Sequence, residues 1–326
     1  MVEWASFQNK TQIQQHLMFT SNRSSNYLRG ISWFILSLVI SVTNDVFAKY
    51  LGQNLHSVQI TFLRFLFSTL SLLPFMIYYG RKSFHTSRIG LHLIRGGLLF
   101  CAIALWCFGL TQAPITVATT LTFIIPMFVL ILARVFLNEK VSWARWLVTV
   151  IGFLGTSIMF EPTNVNFSPL MLLLVLATVM FAALDVINKK FVVKESMLAM
   201  LFYTALVTML LGAIPTIFVW QTPTITQLTS LFLLGCGGNL ILYCLLKAFA
   251  ATEASAIAPF RYIELILSAG LGFAIFREVP TLALCLGSLI IIPCTLFLMY
   301  SETKTKSDKS LVAASNEEPA PVTQEN

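Results

Sequence analysis

The sequence predicts an all-α integral membrane protein, with ten transmembrane helices arranged as two inverted five-helix repeats. Three observations carry that prediction. Hydrophobic residues make up 57% of the 326-residue chain and charged residues 11%, with a mean hydropathy of +0.81. A soluble domain carries about 25% charged residues, so this chain would not stay dissolved as a globule. The apolar residues fall in blocks of about 20, the length that crosses a hydrocarbon core of ~30 Å at 1.5 Å per residue. Finally, the chain resembles itself at an offset of about 140 residues, the mark of a duplication. The period-two alternation of an outer-membrane barrel is missing.

Residues 1–27 are polar and lack the apolar core of a signal peptide, so they read as a cytoplasmic tail. Unbroken apolar runs then place spans near 30–50, 57–79, 91–111, 114–136 and 143–160 in a first repeat, residues 28–160. Spans near 169–190, 197–220, 227–248, 254–276 and 281–300 make a second repeat, residues 161–300. Residues 301–326 are rich in Ser, Thr, Lys and Glu and read as a disordered cytoplasmic tail. The basic residues test this count. Lys10, Arg23 and Arg29 precede the first span, and Arg81, Lys82 and Arg88 follow the second. Lys140, then Lys189, Lys190 and Lys194, then Lys304, Lys306 and Lys309 occupy every second connection after that, with Arg277 the exception. With ten spans all these clusters fall on one side, so both termini are expected in the cytoplasm and the protein in the cytoplasmic (inner) membrane. The formal net charge of +7 therefore orients helices and does not signal nucleic acid.

The repeat aligns Asp45-Val46 with Asp185-Val186, Lys49 with Lys189 and Gly97 with Gly237. One residue less of offset aligns Thr116 with Ser255, Phe123 with Tyr262 and Glu139 with Glu278. Five spans per repeat is an odd number, so the second copy must lie upside down relative to the first. Inverted repeats around a midplane site are a plan of secondary transporters.

The charges inside the spans point to that site. "VISVTNDVFAKY" places Asn44 and Asp45 in the first span, and "FAALDVINKKF" places Asp185 in the sixth. A charge at the bilayer centre costs at least ~2.5–3.5 kcal/mol on insertion scales, and such residues face a cavity or a partner. Two readings stay open. Each aspartate can pair with the lysine four residues on, Lys49 or Lys189, and anchor a helix. Alternatively, Asp45 and Asp185 meet a cationic substrate group or carry a proton. Arg64 in the second span suits bidentate capture of a carboxylate or phosphate, or a salt bridge to Asp45 or Glu264.

"AIAPFRYIELILSAG" is the densest polar cluster. Pro259 is expected to kink the ninth span and Pro126 its counterpart, the fourth. Arg261 and Glu264 share a face there and can pair with each other or face substrate, with Tyr262 adjoining. Trp106 and Phe123 are further candidates, able to stack on a planar ring or meet a cation. Glu139 and Glu278 lie at span-connecting turns and read as helix-end residues.

The six cysteines lie inside apolar spans without a CxxC pair, which reads as buried small hydrophobes. The four histidines fall in the tail or near span ends, and no HExxH, GxSxG or P-loop pattern occurs. No catalytic residue, metal site or cofactor is expected. An ATP-driven pump is excluded, and a lipid-acting membrane enzyme lacks a convergent nucleophile and base. A receptor or scaffold would not need charges at matched depths in two repeats.

The spans in two fives, the long fourth span with its proline, and "LNE" at 137–139 echoed by "FRE" at 276–278 resemble the EamA-type drug/metabolite transporter superfamily over residues 28–300. "NDVFAKYLGQNLHS", "LDVINKKFVVKESMLAMLFY", "LLKAFAATEASAIAPFRYIEL" and "IIIPCTLFLMYSE" look more specifically like the S-adenosylmethionine uptake transporters of obligate intracellular bacteria. That resemblance implies import of S-adenosylmethionine in exchange for S-adenosylhomocysteine, by alternating access. The alternative within the same fold is an exporter of amino acids, drugs or another polar metabolite. Neither resemblance supplies binding residues. The candidate set is Asn44, Asp45, Arg64, Trp106, Phe123, Asp185, Arg261, Tyr262 and Glu264, chosen from the residues themselves. Oligomeric state is not legible.

Overall fold

A computed structural model describes residues 26–45, 47–48, 51, 55–86, 88–110, 121–159, 171–276 and 282–315. Among them the chain is helical and contains no strand. Besides a single-turn helix at Arg81–Phe84, the helices in chain order are α1 (Asn26–Asp45), α2 (Ser57–Tyr78), α3 (Ile89–Leu110), α4 (Ile125–Phe136) and α5 (Trp143–Met159). There follow α6 (Met171–Phe191), α7 (Met197–Ile217) and α8 (Ile225–Ala251). The next element, α9, is composite: Ala254–Ile257, a 3-10 segment Ala258–Tyr262, then Ile263–Phe276. The last is α10 (Leu282–Ser315). Eight of these contain a stretch long and apolar enough to cross a membrane, while α4 and α5 are apolar but shorter. Span ends carry local stop and start signals. Ser196 caps α7 by accepting from the Ala199 amide, and Thr224 and Gln227 form a capping box on α8.

The proline expectations resolve differently in the two places. Pro259 does break α9, because a ring without an N–H cannot continue the α-helical ladder, and a 3-10 turn carries the chain past it. Pro126 instead lies in the first turn of α4, where its missing N–H removes no helical bond, and the break falls just before it at the turn Phe123–Ile124. Residues 111–120, the expected start of the fourth span, lie outside the described residues. The disordered tail expected from residue 301 is also revised: α10 continues to Ser315, over a stretch free of Gly and Pro.

Packing brings helices distant in sequence together. The second helix lies against α7 and α8, α3 against α6 and α7, α4 against α6, and α5 against α10. Small residues set the close approaches. A Cβ at Gly235 would sit 2.7 Å from the Arg64 carbonyl oxygen, so only glycine lets α8 lie this near α2. Gly152 likewise leaves room on α5 for the ring of Tyr262. The main apolar core includes Phe34, Met76, Leu130, Phe249, Ile257 and Phe260, contributed by five helices.

One end of the bundle is tied by charge. The Arg145 guanidinium makes a two-pronged contact with Glu302, Nε to Oε1 at 2.9 Å and Nη2 to Oε2 at 3.0 Å. Its Nη1 lies 2.6 Å from Glu253 and donates to the Ser255 hydroxyl at 2.7 Å. Glu139 accepts from the Ala254 and Ser255 amides, both at 3.0 Å, and so caps the start of α9. This agrees with the sequence expectation that Glu139 is a helix-end residue. Glu278 lies outside the described residues.

Candidate substrate-binding cavity

A cavity of about 590 Å³ runs between α1, α2, α3, α6, α7 and α8. That size suits a small-molecule site. Asp45 enters from α1, Arg64 from α2, Arg95 and Trp106 from α3, Asp185 and Asn188 from α6, and Asn239 from α8. Ile60, Leu99, Ile103, Phe181 and Leu242 supply apolar wall between them. Among the described residues no cluster of His, Cys, Asp or Glu has the makings of a metal site.

The charged groups divide by whether they have partners. Asp185 is paired: Arg261 Nη2 lies 2.8 Å from its Oδ2. The expected alternatives, Asp185 with Lys189 and Arg261 with Glu264, are replaced by this contact. Lys189 Nζ instead donates to the carbonyls of Phe249 and Thr252, both at 2.6 Å, and closes the end of α8. The two carbonyls are unsatisfied helix-end acceptors, which a nearby ammonium serves better than a carboxylate already held by arginine. Lys49 lies outside the described residues.

Asp45 and Arg64 are unpaired. Each faces the cavity, each acts electrostatically on the other, and neither has a salt-bridge or hydrogen-bond partner among the described residues. The salt bridge from Arg64 to Asp45 or Glu264 that the sequence allowed is not formed. The Arg64 guanidinium lies over Gly238, whose lack of a side chain leaves it room, and over the Phe65 ring, 5.7 Å from its centroid. Glu264 acts electrostatically on Asp45 and hydrogen bonds with Ser41, away from the lining residues.

Three candidates lie in the packing around the cavity and not on its wall. Tyr262 is fully buried and its hydroxyl donates to the carbonyls of Phe123 (3.1 Å) and Thr149 (2.8 Å). Phe123 stacks on it with centroids 6.0 Å apart. Asn44 points from α1 into α8, where its amide donates to the Leu234 carbonyl at 3.2 Å. Trp106 does line the cavity.

Among the polar lining residues that the sequence did not single out are Arg95, Asn188 and Asn239. Arg95 stands six residues after the start of α3, a depth at which an arginine ordinarily snorkels to the membrane surface. In the structure it is completely buried. The signal available was its isolation in "GLHLIRGGLLF", an apolar run with no acid to neutralise it.

Comparison with known proteins places this architecture among transporters. The model of the EamA-like transporter family matches residues 28–161 and again 168–300. The chain is 52% identical over 283 residues to the S-adenosylmethionine uptake transporter of Rickettsia prowazekii, covering 87% of this chain and 96% of that protein. It is 32% identical over 287 residues to the riboflavin transporter of Vibrio cholerae, covering 85% and 95%. One crystal structure shares the fold, with a TM-score of 0.73 at 17% identity over 84% of this chain and 96% of that one.

Proposed function

The chain belongs to the EamA-like transporter family, and from that premise we propose that it is a secondary carrier importing S-adenosylmethionine across the cytoplasmic membrane by alternating access, in exchange for S-adenosylhomocysteine. The observation that carries the proposal is the pair Asp45 and Arg64, a carboxylate and a guanidinium on the wall of a single cavity, neither with a salt-bridge partner among the described residues. Unpaired charges in a low-dielectric site are costly and are retained where a ligand completes them. The head of an amino acid is a zwitterion, and it presents the complementary pair of charges. Arg64 takes the carboxylate, while Asp45 takes the ammonium and the neighbouring sulfonium. Trp106 offers an aromatic face to the remainder of the substrate.

In this reading the helices form ten spans in two inverted repeats, the plan on which alternating access is built. Several packed pairs correspond when each helix is exchanged for the one five positions away: α2 with α7 and α5 with α10 map onto themselves, and α2 with α8 maps onto α7 with α3. Phe123 and Tyr262, which the sequence repeat equates, touch each other, as residues on a pseudo-two-fold axis do. With both termini cytoplasmic, the network around Arg145 lies at the cytoplasmic end of the bundle.

The test is uptake of radiolabelled S-adenosylmethionine by bacterial cells expressing the chain, followed by exchange from preloaded cells. Saturable uptake that external S-adenosylhomocysteine inhibits, and efflux of label that it accelerates, are expected. A correctly inserted protein with neither flux would remove the cargo assignment, and efflux against the gradient without uptake would favour the exporter.

A further inference from the structure

We propose that Arg95, together with Asn188, forms a second binding station in the cavity, one that takes the hydrogen-bond-acceptor edge of a neutral heteroaromatic base; this rests on the carrier function given above. Arg95 is fully buried yet contributes to the cavity wall. Its Nε donates to Asn188 Oδ1 at 2.8 Å and its Nη1 to the Met200 carbonyl at 3.1 Å, while Nη2 has no partner among the described residues. No described carboxylate lies within salt-bridge distance of it. Asp185, one turn before Asn188 on α6, is already held by Arg261.

A guanidinium locked in plane by two bonds, with a third donor idle, is preorganised for an acceptor that the protein itself does not supply. Its uncompensated charge decides which part of the substrate it meets. Ammonium and sulfonium groups are repelled and belong with Asp45. The carboxylate is matched by Arg64, which shares the field of Asp45. What remains is the base, a neutral ring whose nitrogens accept hydrogen bonds. The wall here suits it: Leu99 lies one turn along α3, and Leu201 follows the Met200 that anchors Arg95. Asn and Arg side chains are the donors that read purine edges elsewhere, by fixed planar geometry.

The experiment measures equilibrium binding to the purified full chain of two radiolabelled fragments: adenosine, which carries the base without the amino acid, and S-methylmethionine, which carries the sulfonium amino acid without the base. Arg95→Gln and Arg95→Lys are compared with the unaltered chain. Because lysine is a point charge without the planar fork, both variants are expected to weaken adenosine by about tenfold or more. S-methylmethionine binding should stay within about twofold, which also shows that the rest of the site has folded. The proposal is overturned if S-methylmethionine is weakened instead, which would make Arg95 the carboxylate anchor. It is equally overturned if both fragments weaken together with a fall in thermal stability, if neither changes, or if adenosine does not bind the unaltered chain. Absent S-adenosylmethionine uptake alongside Arg95-dependent adenosine binding removes the cargo and keeps the station. Intact uptake with adenosine binding indifferent to Arg95 removes the station alone.

Discussion

Where α5, α9 and α10 meet, Arg145 is saturated: two carboxylates and a hydroxyl surround it, and a third carboxylate caps the neighbouring helix. On the cavity wall, Arg64 and Asp45 have no salt-bridge partner among the described residues, and Arg95 keeps a donor idle there. The same residue types have been treated in opposite ways. A saturated network is a structural clasp, since any ligand would have to displace bonds already made. An unsaturated wall has its partners missing by design of the packing, and a solute can supply them. Asp185 lies between these extremes, on the cavity wall yet neutralised by Arg261 from behind it.

The contrast can be broken first at the clasp. Glu302→Ala leaves the buried Arg145 guanidinium without its two-pronged partner, and we expect a loss of about 3 kcal/mol of stability, the scale for removing one member of a buried pair. Thermal unfolding in detergent checks this; a melting temperature equal to that of the unaltered chain would show that the network is not a clasp.

Asp45→Asn sharpens the other side. The substitution removes an unpaired charge, so the folded protein should be as stable as before, while transport affinity falls by about tenfold or more through the lost charge-assisted contact. Paired measurements of melting temperature and uptake KM distinguish the outcomes. A destabilised protein with unchanged KM would place Asp45 among the structural charges.

Tyr262→Phe addresses the packing between the two regions. The buried hydroxyl bonds two carbonyls, so its removal should cost about 1 kcal/mol of stability with KM unmoved. A KM shift larger than the stability loss would bring Tyr262 onto the transport path.

Much of the fold was legible because hydropathy is a property of consecutive residues. The apolar blocks located the helices, Pro259 marked a real break, and the echo of Phe123 in Tyr262 anticipated two residues that touch. The extent of α10 was misjudged because polar composition alone does not forbid a helix where Gly and Pro are absent. Of the candidate site, Asp45, Arg64, Trp106 and Asp185 lie on the cavity wall, whereas Asn44, Phe123 and Tyr262 serve the packing behind it.

What the sequence by itself determined is the medium and the plan: a helical membrane protein, repeated within one chain, carrying more charge in its spans than lipid would tolerate. Which of those charges are spent on one another was decided only by tertiary structure. Lys189 lies four residues from Asp185 yet serves α8, and Arg261, 76 positions away, takes the aspartate instead. Local spacing states which partners a charge can reach along its own helix. The choice among them depends on distances of a few ångströms between helices remote in sequence, and in a low-dielectric interior those distances set the electrostatic energy.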